Sequence, residues 1–88
     1  MIRQIELGQT AAIQKRNIRS LIKGGKITLA GNRNLKIYGR LDCSSGKRMN
    51  PENRVFFKSE EEAKEQGYRP CGHCMREQYH EWKKRKQG

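Results

Sequence analysis

Tyr68-Arg69-Pro70-Cys71-Gly72-His73-Cys74 carries two thiols with two residues between them, on a turn that Pro70 and Gly72 make easy. That spacing lets both sulfurs face one centre. A further thiol, Cys43, lies well upstream, and three cysteines cannot form a closed set of disulfides. A Cys-x2-Cys knuckle joined by distant ligands is the common layout of a structural zinc site, because Zn²⁺ takes tetrahedral N and S ligands with thiolate sulfur at about 2.3 Å. The pattern predicts Zn²⁺ held by Cys43, Cys71 and Cys74. His80, six positions past Cys74, leads the candidates for the fourth ligand. His73 and Asp42 are weaker ones: a ring between two ligating cysteines normally points away from their metal, and Asp42 adjoins Cys43. Water or a partner molecule completes the alternatives.

The totals favour such a staple. An 88-residue chain that is one-third hydrophobic and one-third charged has a thin core. A chain this small buries only roughly two-thirds of its unfolded surface and is marginal unaided. Bound structural zinc contributes on the order of 10–16 kcal/mol of apparent binding energy to such folding units. No apolar run is long enough to span a bilayer, and Met1-Ile2-Arg3-Gln4-Ile5-Glu6 does not open a secretory signal. The expectation is a cytoplasmic protein with no membrane partner, in a compartment where an odd number of thiols stays reduced.

Charge points to the partner. The net charge is +11, from 20 Lys and Arg against 9 Asp and Glu. Residues 1–44 carry 9 basic and 2 acidic side chains, giving +7, and residues 45–88 carry 11 and 7, giving +4. So large an excess on a small surface attracts polyanions, nucleic acid first among them.

Along the chain, Ile2, Ile5 and Leu7 mark a short strand or arm. Thr10 caps a helix to about Lys23, whose apolar stripe is Ala11, Ile13, Ile18, Leu21 and Ile22, with Arg16, Arg19 and Lys23 on the wet side and Gly24-Gly25 at its end. Alternation in Lys26-Ile27-Thr28-Leu29-Ala30 and Leu35-Lys36-Ile37-Tyr38 predicts a hairpin over 26–38. Asn50-Pro51 marks a turn or a short helical turn, and Arg54-Val55-Phe56-Phe57 is a central strand. Ser59-Glu60-Glu61-Glu62 is a capping box for a helix to about Gln66, its acidic turn suited to the helix dipole. A last helix from about Cys74, carrying Met75, Gln78, Tyr79 and Trp82, frays into Lys83-Lys84-Arg85-Lys86. The fold class expected is α+β (α/β in the broad sense): a small zinc-stabilised domain with a three-stranded, mainly antiparallel sheet flanked by helices.

Cys71-Gly72-His73-Cys74 is also the dithiol motif of protein disulfide isomerases, where a helix N-terminus makes the first thiol acidic. The surroundings disagree: no βαβ unit precedes the motif, and Pro51 and Pro70 both lie before it.

Ile37-Tyr38 through Cys43, Pro51-Glu52-Asn53-Arg54-Val55-Phe56-Phe57, Ser59-Glu60-Glu61-Glu62-Ala63 and Gly67-Tyr68-Arg69-Pro70-Cys71-Gly72-His73-Cys74 together resemble the metal-binding domain of the bacterial Ada DNA-alkylation repair proteins. The resemblance runs from about residue 31 to about residue 80. It implies a small α/β domain in which four cysteines hold zinc, the first accepting a methyl group from a methylated DNA phosphate, after which the domain binds a promoter more tightly. Cys43, Cys71 and Cys74 match the second to fourth ligands. The acceptor position falls on Gly39, which has no side chain to ligate or be alkylated. The resemblance thus implies zinc and DNA binding, with links to DNA repair and transcription regulation, but not methyl transfer.

The reading divides the chain into an N-terminal arm and helix extension over 1–25, an Ada-like zinc-binding domain over 26–82 and a basic tail over 83–88. The expected function is backbone-directed binding of double-stranded DNA through Arg33, Arg40, Lys47, Arg48 and Arg69, the tail assisting, and without enzyme activity. The alternatives are stoichiometric methyl acceptance, which would have to use Cys43, and a protein-interaction module whose contact surfaces are the N-terminal helix and Trp82.

Overall fold

In the computed structural model, which describes residues 1–41 and 50–87 apart from the side chains of 86 and 87, the first helix begins where its cap places it. Thr10 is extended and its Oγ1 accepts the Ile13 N–H at 3.3 Å, opening α1 at Ala11–Lys23. The buried face of α1 matches only part of the stripe its apolar residues mark. Gln14 and Ile18 are buried and Leu21 packs on the core, whereas Ile13 and Ile22 are 38% and 41% exposed. The reason is the preceding segment. After the short strand β1 (Ile2–Arg3), a 3-10 turn at Gln4–Leu7 lies against α1 and is tied to it by polar groups. The buried Gln4 side chain donates to Gln14 Oε1 at 3.2 Å, Gln14 donates to the Gly8 carbonyl at 3.0 Å, and Asn17 donates to the Leu7 carbonyl.

The remaining elements are β2 (Leu29–Asn32), β3 (Ile37–Arg40), a 3-10 turn at Pro51–Asn53, β4 (Arg54–Phe57), α2 (Glu60–Glu65), β5 (Arg69–Pro70) and α3 (Arg76–Gln87). The strands form one sheet in the order β1-β4-β2-β3-β5. β4 runs antiparallel to both β1 and β2, β2 antiparallel to β3, and β3 parallel to β5. The described sheet therefore has five strands where three were expected; it is mainly antiparallel, as expected, with one parallel pairing that makes it mixed. The two extra strands hold two residues each, too few to show any alternation in sequence. The hairpin also starts later than the alternation indicated. The Lys26 N–H is taken by the Leu21 carbonyl, so this residue closes α1 instead of opening β2.

β4 is buried on both faces, and its alternating side chains divide the core in two. Val55 and Phe57 join Tyr38, Ala63 of α2, Tyr68 and Met75 on one side. Phe56 joins Ile18 of α1, Ile27 and Ala30 on the other. Ser59 caps α2 through the Glu62 N–H at 3.2 Å, as its capping box predicts, and Gly67 follows with φ 84°, a left-handed backbone that suits glycine. α3 begins at Arg76, two residues after Cys74, and continues through the basic run at 83–86 that was expected to fray. Lys and Arg are good helix formers and are favoured near a helix C-terminus.

Candidate metal centre

Parallel pairing of β3 with β5 builds the site. Ile37 lies opposite Arg69 and Tyr38 opposite Pro70. The Arg69 N–H donates to the Lys36 carbonyl and the Cys71 N–H to the Tyr38 carbonyl, both at 2.8 Å. The ladder thus lays the start of the knuckle beside Gly39. A Cβ built on Gly39 would lie 2.8 Å from Cys74 Sγ, 3.1 Å from Cys71 Cβ and 3.9 Å from Cys71 Sγ. Both sulfurs therefore approach one point over β3, and a side chain there would displace the Cys74 sulfur.

Backbone amides fix where each sulfur sits. The Arg40 N–H donates to Cys74 Sγ at 3.3 Å and the His73 N–H to Cys71 Sγ at 3.4 Å. The Met75 N–H donates to the Cys71 carbonyl at 3.1 Å, closing the turn before α3. Both cysteines are half-buried. Two sulfurs converging on one point with amide support suit a soft-ligand cation such as Zn²⁺.

The other expected site residues are scattered. Cys43, Asp42, Lys47 and Arg48 lie outside the described residues. His80 is exposed on α3, its ring 6.0 Å from that of Tyr79, and among the described residues no group of three potential metal-ligating side chains forms, so His80 is not gathered with Cys71 and Cys74. His73 is exposed at the turn. Arg33 is exposed on the β2–β3 turn, where its N–H donates to the Asn53 carbonyl at 2.8 Å, and Arg40 is exposed at the end of β3. Arg69 is half-buried. Its guanidinium lies 5.4 Å from the Tyr79 ring centre and 5.6 Å from that of Trp82, and donates to the Pro70 carbonyl at 3.2 Å. The Tyr79 and Trp82 rings stack on each other with centres 5.9 Å apart. Sequence reasoning missed this clasp on the arginine beside the knuckle. Its one signal was the i, i+3 spacing of two aromatic residues, which puts both on one helix face.

A sheet whose parallel edge strand delivers a Cys-x2-Cys knuckle onto a neighbouring glycine defines a small α+β metal-binding domain. The sequence model described as the metal binding domain of Ada matches residues 10–77, and the chain belongs to that family, a zinc-binding one. The match takes in α1, which the resemblance from about residue 31 had not reached. No curated protein and no solved structure matches the chain. No helix among the described residues is long and apolar enough to cross a membrane.

Proposed function

We propose that this domain is a zinc-stabilised DNA-binding module that grips the phosphate backbone of double-stranded DNA and accepts no methyl group. The observation that carries this reading is Gly39: the position that would bear the acceptor thiol offers only a backbone, packed against the Cys74 sulfur. Cys71 and Cys74 hold the metal together with Cys43. When bound, zinc supplies a crosslink between the knuckle and the upstream chain, and with it folding energy. The protein's own residues do the rest. A net charge of +11 supplies the sequence-independent attraction, and Arg33, Arg40, Lys47 and Arg48 contact phosphates. Arg69, whose guanidinium lies against the Tyr79 and Trp82 rings, presents a cation beside the knuckle.

The test has two arms. Duplex affinity should fall log-linearly with salt, with a slope of about −4.5 if these five cations each neutralise one phosphate. Affinity indifferent to salt between about 50 and 200 mM counts against the reading. Incubation with DNA carrying methylated phosphates should leave the intact protein mass unchanged. A gain of one methyl, mapped to Cys43, would establish methyl acceptance instead.

A further inference from the structure

From Leu7 to Leu41 the chain has no Asp or Glu, and Lys15, Arg16, Arg19, Lys23 and Lys26 are all exposed on α1 and the turn that closes it. Arg16, Arg19 and Lys23 follow one another at three and four residues, and Lys15 stands four before Arg19, so one stripe of the helix carries all four. Among the described residues the ion pairs join Met1 to Glu62 and Glu60 to Lys64, and none reaches this stripe. The helix itself gains nothing from the arrangement. Lys15 with Arg19 and Arg19 with Lys23 are like-charge pairs at i,i+4, which destabilise a helix, whereas α2 places Glu60 and Lys64 at the same spacing.

Two features aim the stripe. Gln14 is buried and bonded to Gln4 and the Gly8 carbonyl, and Ile18 is buried beside Phe56, so the rotation of α1 is fixed with its cations outward. Leu41 packs on the cluster beneath α1, and Ala30 of that cluster lies opposite Gly39. α1 and the end of β3, with the exposed Arg40, therefore share one side of the sheet. From Lys15 to Lys23 the row is about 12 Å long, at about 1.5 Å per residue, and exposed throughout. Such a row suits a line of phosphates better than one small anion, and a duplex offers a charge per about 1.7 Å of its axis. We propose that the outer face of α1 is a phosphate-contacting surface, extending the duplex interface from Arg40 along Lys15, Arg16, Arg19 and Lys23. The proposal rests on the backbone-binding reading above and gives a role to a helix which that reading leaves out.

The test uses the full zinc-loaded chain and the variant Lys15→Gln/Arg16→Gln/Arg19→Gln, whose glutamines suit a helix. The salt slope of duplex binding should become shallower by about 2.7, or about 0.9 for each cation removed. The melting temperature should not fall, because the like-charge pairs are gone. In the wild-type protein, bound duplex should slow acetylation of Lys15 and Lys23 several-fold, read by peptide mass spectrometry, and inorganic pyrophosphate should not. An unchanged slope in the variant, equal acetylation with and without duplex, or equal protection by pyrophosphate would each overturn the proposal. Duplex binding that leaves both lysines unprotected removes the α1 surface but not the backbone reading. Protection of both lysines, with duplex affinity indifferent to Arg33→Gln/Arg69→Gln, keeps α1 and removes the contacts beside the knuckle. Failure to bind duplex removes both.

Discussion

At Gly39 a missing side chain decides the chemistry. A Cβ at this position would lie 2.8 Å from Cys74 Sγ, so even a methyl group would have to move the sulfur. Gly39→Ala should lower the stability of the metal-free protein by about 1–3 kcal/mol, the usual range for overpacking, measured by urea unfolding. An unchanged midpoint would mean the sulfur is not seated there. Tyr38, one residue earlier, is fully buried, and its hydroxyl has no partner among the described residues. Burial, aided by the nearby Glu60 carboxylate, pushes its pKa up from 10.0 to about 12. The folded protein therefore keeps this proton after the unfolded chain has lost it. The stability contribution is intact below pH 10 and is lost as pH rises towards about 12. Tyr38→Phe should reduce that alkaline loss and cost little at neutral pH, because an unsatisfied hydroxyl is replaced by hydrogen. Denaturant melts at a series of alkaline pH values test this.

Among the elements, α2 and β4 were legible and α1 only half so. Ser59 and Glu62 bracket a helix start by local hydrogen bonding, and Arg54-Val55-Phe56-Phe57 is too apolar to be anything but a strand buried on both faces. The inner face of α1 was misjudged because Gln14 reads as solvent-facing, although its amide is satisfied by Gln4 and Gly8. Those partners lie 10 and 6 residues away, beyond any helical period. Gln14→Ala, which strips a buried amide of its partner, should cost about 1–3 kcal/mol. Ile13→Ala, at a position 38% exposed, should cost about 0.5 kcal/mol. Thermal melts of the two variants, run side by side, would reveal the opposite order if polarity in the sequence were a fair guide to burial.

For the molecule as a whole, a divided core serves a chain with 20 cationic and 9 anionic side chains. Each half of that core is small, so metal binding to the knuckle should raise the melting temperature markedly and in proportion to free zinc. Chelation should broaden or abolish the transition. A sharp transition at the same temperature with and without chelator would show that the sheet holds without the crosslink.

Local chemistry was written in the sequence: helix caps, the central strand, the Cys-x2-Cys spacing and the cationic excess each depend on residues within a few positions of one another, or on simple counts. Their family follows from the same letters. The tertiary structure alone decided that β5 pairs parallel with β3 and so brings Cys71 and Cys74 against Gly39, more than thirty residues upstream. It alone closed Tyr79 and Trp82 over Arg69. Two-residue strands and contacts between distant segments carry no period, and they acquire their energies only once the sheet has assembled around them.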